Sequence, residues 1–230
     1  MSSVEIGGMS IFYEVMGGSI IDSPITIPMM ADDVAGVLDA LAIRKANVFG
    51  VSMGGVISQR FALNHRDRVS NLVLGCTTPC GRQHVPAPPD GVRLLFDFEY
   101  LKSMTPEQRT MAVFHFMVSE EFIKRHPEVY QSYHRATVDH AIPTRTFRYQ
   151  AEAIAGEDTW DGLGTLTSPT LLITGSEDRI VPCGNSQKMA KCIPGAELVM
   201  LKGMRHGFYI EAVEETIDAI VGFIKKNTSQ

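Results

Sequence analysis

Apolar residues along this chain switch between two periods. Residues 4–6 and 10–15 alternate apolar with polar positions around Gly7-Gly8, which predicts a short antiparallel hairpin. Over residues 29–41 the spacing becomes helical. Val34, Val37, Leu38 and Leu41 share one face, Thr26 stands as the cap, and Pro28 sits near the first turn. Ala46-Asn47-Val48-Phe49 then reads as a buried strand, and Val56, Ile57, Phe61 and Ala62 as the inner face of the helix that follows it. Three further apolar runs, at 68–75, 170–174 and 198–201, predict strands, and a last helix covers roughly 210–225. Strands alternating with helices predict an α/β fold: a mostly parallel sheet with helices on both faces.

Between residues 82 and 166 the rhythm changes. Pro86, Pro88 and Pro89 mark a linker, and the helical patterns at 94–101, 107–117 and 120–135 are rich in Phe, Met and Tyr. No strand pattern interrupts them. The expected organisation is a sheet core of residues 1–81 and 167–230 with an all-helical insertion, 82–166, between two strands.

Composition narrows the function classes. A net charge of −5 without a basic run argues against a nucleic-acid partner. No apolar run approaches the roughly 20 residues of a membrane span. The first residues lack the basic and apolar regions of a secretory signal, so the expected location is cytoplasmic. Cys76, Cys80, Cys183 and Cys192 match neither a zinc-finger nor a C-x-x-C spacing, and unpaired thiols are expected; a Cys76–Cys80 redox pair is the alternative. No Walker-type loop and no metal-ligand cluster is present, so no metal and no cofactor is expected.

The candidate chemistry lies in Gly50-Val51-Ser52-Met53-Gly54, a G-x-S-x-G turn between the predicted strand and helix. Small residues at Gly50 and Gly54 let the turn tighten so that the serine hydroxyl projects from the sheet's end. A serine hydroxyl becomes nucleophilic when a base takes its proton, and that base needs a third group to orient it. Asp178 follows the strand at 170–174, with Glu177 as its local competitor. His206 follows the last strand, in Gly203-Met204-Arg205-His206-Gly207. Each residue also has a plainer reading. Ser52 could be a packed turn, Asp178 a loop carboxylate paired with Arg179 or a helix cap, and His206 a surface histidine. His65, His84, His115, His126, His134 and His140 read as helix-surface or cap residues.

Residues 50–55, 175–182 and 203–211 together resemble the α/β-hydrolase superfamily, and Ala31-Asp32-Asp33-Val34 ahead of the elbow is similar to the branch of 3-oxoadipate enol-lactonases, small esterases and related carbon–carbon bond hydrolases. The resemblance implies Ser52 as nucleophile, His206 as general base, Asp178 as orienting acid and the Met53 backbone N–H as an oxyanion donor. It implies hydrolysis of a small hydrophobic ester or lactone through an acyl-enzyme, under a helical cap. Phe114, Phe116 and Met117 would line the acyl pocket or fasten the cap to the sheet.

One departure is large. Family members carry a third strand, a His-Gly loop with the second oxyanion N–H, a helix and a fourth strand between the opening hairpin and the helix near Met30. Here Gly17-Gly18 runs almost directly into Ser23-Pro24, and the chain's one His-Gly pair is His206-Gly207. The elbow strand is therefore expected at an exposed edge, covered by residues 20–27, by a re-paired hairpin, or by a second subunit in a homo-oligomer. The alternative function is a non-catalytic or strongly impaired protein that binds a small molecule or a partner.

Overall fold

The computed structural model describes residues 2–6, 9–13, 23–139 and 144–228, with backbone alone over 2–6 and 9–13. The opening hairpin is β1 (Ser2–Ile6) paired antiparallel with β2 (Met9–Tyr13) as a sheet of its own. The Gly7-Gly8 turn, the predicted strand end at 14–15 and residues 20–22 of the gap-filling segment lie outside the described residues.

Helix α1 (Ile27–Ala40) is capped by Thr26, whose hydroxyl accepts from the Met29 N–H at 3.3 Å. Strand β3 (Ala46–Val51) leads through Ser52 into α2 (Met53–Asn64), and β4 (Val69–Gly75) follows. The next block is helical: α3 (Pro89–Phe96), α4 (Phe98–Lys102), α5 (Pro106–Met117), α6 (Glu120–Arg125), α7 (Pro127–Asp139), α8 (Thr144–Ala155) and the short α9 (Trp160–Leu163). Strand β5 (Thr170–Gly175), α10 (Gly184–Cys192), β6 (Glu197–Leu201), α11 (Phe208–Glu211) and α12 (Val213–Thr228) close the chain.

The four later strands form one parallel sheet in the order β3-β4-β5-β6. Parallel sheets need cover on both faces. On one face Ala31 and Ala35 of α1 and Phe61 and Ala62 of α2 join Leu72, Leu74, Leu172 and Met189. On the other, Phe208, Phe223 and Ile224 pack against Val73, Leu171 and Ile173. Every residue of β5 is buried, as its interior position demands. Strand β3 has one neighbour among the described residues, β4, and Phe49 is 45% exposed.

The inner face of α1 differs from its apolar pattern. Val37 and Leu41 are exposed, while Ile27, Ala31 and Ala35 are buried and Val34 and Leu38 pack partly against the same cluster. Small alanines let α1 lie close to α2, and that close approach outweighs side-chain size. The predicted helix over 120–135 breaks before Pro127, which cannot supply the N–H to continue α6. The predicted last helix breaks at Ala212, between α11 and α12.

Candidate active site

Ser52 sits between β3 and α2 with φ 56° and ψ −121°, a conformation that strains any residue with a Cβ. Its N–H donates to the Gly75 carbonyl at 2.9 Å, and its carbonyl accepts from the Gly55 N–H at 3.0 Å and the Thr77 hydroxyl at 2.7 Å. Its hydroxyl makes no capping bond to α2. The turn closes because of Gly50: a Cβ there would lie 2.2 Å from the Gly54 carbonyl oxygen and 2.3 Å from Ser58 Oγ. Gly55 is equally constrained, 2.5 Å from Thr77 Cβ. At Gly54 a Cβ would meet nothing within 4 Å, so the glycines that space requires are Gly50 and Gly55, not the Gly50 and Gly54 of the motif.

Asp178 lies in the loop after β5 and His206 in the loop after β6, both at the carboxyl ends of the sheet. Asp178 Oδ2 is 2.7 Å from His206 Nδ1, and Asp178 Oδ1 accepts from the Ile180 and Val181 N–H groups at 2.8 Å each. Both side chains are buried. With Nδ1–H donating to the carboxylate, a neutral ring presents its lone pair at Nε2. The competitors are placed elsewhere. Glu177 is exposed, and Arg179 pairs with Asp90.

The structure thus brings Asp178 and His206 into direct contact, while no hydrogen bond joins His206 to Ser52. The Cys76 Sγ is 3.9 Å from His206 Nε2, and the residue before it, Gly75, accepts from the Ser52 N–H at 2.9 Å. Burial pushes the Cys76 thiol pKa well up, the Asp178 charge adds to this, and the Ser52 peptide opposes it.

The family model described as "alpha/beta hydrolase fold" matches residues 17–213. The chain belongs to the α/β-hydrolase fold family. Among its relatives, a 2-hydroxy-6-oxononadienedioate/2-hydroxy-6-oxononatrienedioate hydrolase of Dechloromonas aromatica is 30% identical over 196 residues, covering 82% of this chain and 65% of that protein. A solved esterase from Thermogutta terrifontis superposes with a TM-score of 0.74 at 27% identity, over 91% of this chain and 75% of that one. An enol-lactonase from Burkholderia xenovorans gives 0.73 at 25% identity, over 91% and 77%. The relatives are hydrolases, and this α/β-hydrolase is one too.

Within this α/β-hydrolase, Met53 is the first residue of α2, so its N–H has no acceptor inside the helix. Phe114 is 0% exposed, between Tyr130 and Tyr133 at ring distances of 5.4 and 5.0 Å. Met117 and Phe116 belong to the same cluster, with the Arg179 guanidinium 5.5 Å from the Phe116 ring centre. Two surface clefts of about 400 and 450 Å³ contain none of these residues, nor Ser52, Asp178 or His206.

Sequence reasoning missed the residues that hold the histidine loop. The Gly207 N–H donates to the Met117 carbonyl at 2.6 Å, and Arg205 to the Val118 carbonyl at 3.1 Å and to that of His115. Glu211 accepts from the Ser119 N–H at 2.9 Å and from its hydroxyl. The end of α5 is thereby tied to both sides of His206. Arg205 and Glu211 flank the histidine in the sequence, but nothing in their spacing names carbonyls and a serine some ninety residues away as partners. Among the described residues, Cys76, Asp178 and His206 are the one trio with metal-binding atoms within 4.8 Å of one another. Both Asp178 oxygens are already engaged in hydrogen bonds, to the Ile180 and Val181 N–H groups and to His206.

No helix among the described residues is long and apolar enough to cross a membrane.

Proposed function

We propose that this protein is a serine hydrolase that cleaves a small hydrophobic ester or lactone through an acyl-enzyme. His206 Nε2 takes the Ser52 proton as Oγ attacks the carbonyl carbon, and the Met53 N–H donates to the resulting oxyanion. Collapse expels the alcohol, which receives the proton from His206. Water, activated by the same nitrogen, then releases the acid. Asp178 keeps the ring in the tautomer with the lone pair at Nε2 and stabilises the imidazolium.

The observation that carries this reading is the buried 2.7 Å Asp178–His206 bond at the carboxyl edge of the same sheet whose β3 ends in a serine at positive φ. The similarity to an esterase and an enol-lactonase favours esters and lactones as substrates, and that to a 2-hydroxy-6-oxononadienedioate hydrolase makes carbon–carbon cleavage of a diketone the second candidate. Residues 82–166 serve as the cap on a core of 1–81 and 167–230. Its Phe114, Phe116 and Met117 act by fastening the cap to the histidine loop.

A fluorophosphonate probe tests the assignment. Labelling of wild type and none of Ser52→Ala supports it. Absence of labelling in folded wild type favours the other reading, a binding protein disabled by the shortened oxyanion region.

A further inference from the structure

We propose that Cys76 is a positioning residue for His206: its buried thiol holds the loop carbonyl and lies against the ring so that Nε2 stays aimed at Ser52 and water stays out, a role that rests on the serine-hydrolase reading of the site.

Cys76 is the first residue after β4, and its N–H donates to the Ile173 carbonyl at 2.9 Å. Its φ of 33° falls where glycine is unstrained and a side chain is not. The chain nonetheless places a side chain there and buries it completely. That side chain makes two contacts with one residue. The S–H donates to the His206 carbonyl at 3.3 Å, and the sulfur lies 3.9 Å from Nε2. The preceding residue, Gly75, accepts from the Ser52 N–H at 2.9 Å. Cys76 therefore adjoins the turn of the proposed nucleophile through its backbone and the nitrogen of the proposed base through its thiol.

A cysteine beside a histidine often forms a thiolate–imidazolium pair. Here that pair would consume the base, because a protonated Nε2 cannot deprotonate Ser52. Burial and the Asp178 carboxylate disfavour the thiolate, so the sulfur keeps its proton and spends it on the His206 carbonyl. The ionisable groups around the ring are Asp178 after β5, Cys76 after β4 and, coupled to Cys76, Tyr209 on α11, which is in turn coupled to Tyr133 on α7. Burial holds both phenols protonated. Arg205 is turned away, to the carbonyls of His115 and Val118. The imidazolium formed during turnover therefore faces one compensating charge, Asp178, and a dry thiol.

Cys76→Ala removes the donor and opens space for water beside the ring, while Cys76→Ser keeps a donor. The measurement is kcat and KM for p-nitrophenyl butyrate across pH, with the His206 ring titration followed by NMR. For Cys76→Ala, kcat falls about tenfold with KM nearly unchanged. The acid limb of kcat/KM moves up, because water solvates the imidazolium formed in turnover. Cys76→Ser restores most of kcat. Cys76→Gly relieves the backbone strain and removes the thiol, so it repeats the alanine result in a protein whose folding is not compromised. Unchanged kcat and an unmoved acid limb in Cys76→Ala or Cys76→Gly overturn the role. So does a kcat loss that follows the folded fraction alone. If wild type turns over no ester, the hydrolase reading fails. The NMR arm then decides separately, since a His206 titration identical in wild type and Cys76→Ala means the thiol does not govern the ring.

Discussion

The loop that carries His206 and the turn that carries Ser52 both follow strands with one neighbour among the described residues, but the His206 loop is tied to other elements from several directions, whereas the Ser52 turn is fixed mainly by its own glycines. On the acid–base side, β5 is wholly buried between β4 and β6, both oxygens of Asp178 are bonded, and Arg205, Gly207 and Glu211 bind the end of α5. On the side of the proposed nucleophile, β3 is an edge strand among the described residues, with Phe49 exposed. Behind it the buried Asn71 donates to Asn47 at 2.7 Å and leaves its own Oδ1 without a partner. The contrast shows where this chain's rigidity is concentrated. Strand β6, like β3, has one neighbour among the described residues, so the His206 loop is held by its bonds to Asp178 and to the end of α5 rather than by its strand. The elbow compensates locally, through Gly50 and Gly55, for an edge that lacks sheet on one side.

Breaking the better-held half gives the largest effect. Asp178→Asn leaves the loop in place but reverses the tautomer preference of His206, and kcat falls about ten-thousandfold with little change in melting temperature. Steady-state kinetics and a thermal melt check this. A large fall in stability instead would mean that Asp178 serves chiefly as the acceptor for Ile180 and Val181.

Alkali is expected to weaken the packing beneath the elbow helix α2. Cys80, packed with Val56, Met53 and Ala153, has its thiol pKa pushed up to about 12, by burial first and by the nearby Glu157 and Asp158 charges second. Because the folded pKa is raised, the unfolded chain loses this proton first. Stability is unaffected below the unfolded value of about 8.5 and declines from there up to about pH 12, by roughly 1.4 kcal/mol per pH unit for this one thiol. Denaturant titrations at pH 8 and pH 10 should show a shallower loss for Cys80→Ala than for wild type. Parallel losses would contradict the assignment.

The smallest expected effect concerns the edge itself. Phe49→Lys is expected to change folding stability by no more than about 0.5 kcal/mol while lowering self-association at high concentration, because a charge on an edge strand blocks pairing. Sedimentation velocity checks this, and unchanged association would mean that the edge is covered by other means.

The sequence patterns made the parallel sheet, its helical cover and the insertion legible, because interior strands such as 170–174 must be apolar on both faces. The strand-loop positions of Ser52, Asp178 and His206 were legible for the same reason: each follows an apolar run at its carboxyl end. What spacing could not show was long-range packing. Nothing local tells Ala31 and Ala35 from Val37 and Leu41 as the inner face of α1, since the choice is made by how closely α2 approaches. Nor does any motif mark Cys76. Its importance depends on a β4 end brought against a loop 130 residues later.

The most direct test of the account is intact-mass analysis during turnover of p-nitrophenyl butyrate. The account predicts a butyryl adduct on a peptide containing Ser52, accumulating with a burst of p-nitrophenol, and no adduct in Ser52→Ala. A well-folded wild type that forms no adduct, or an adduct that persists in Ser52→Ala, would contradict it.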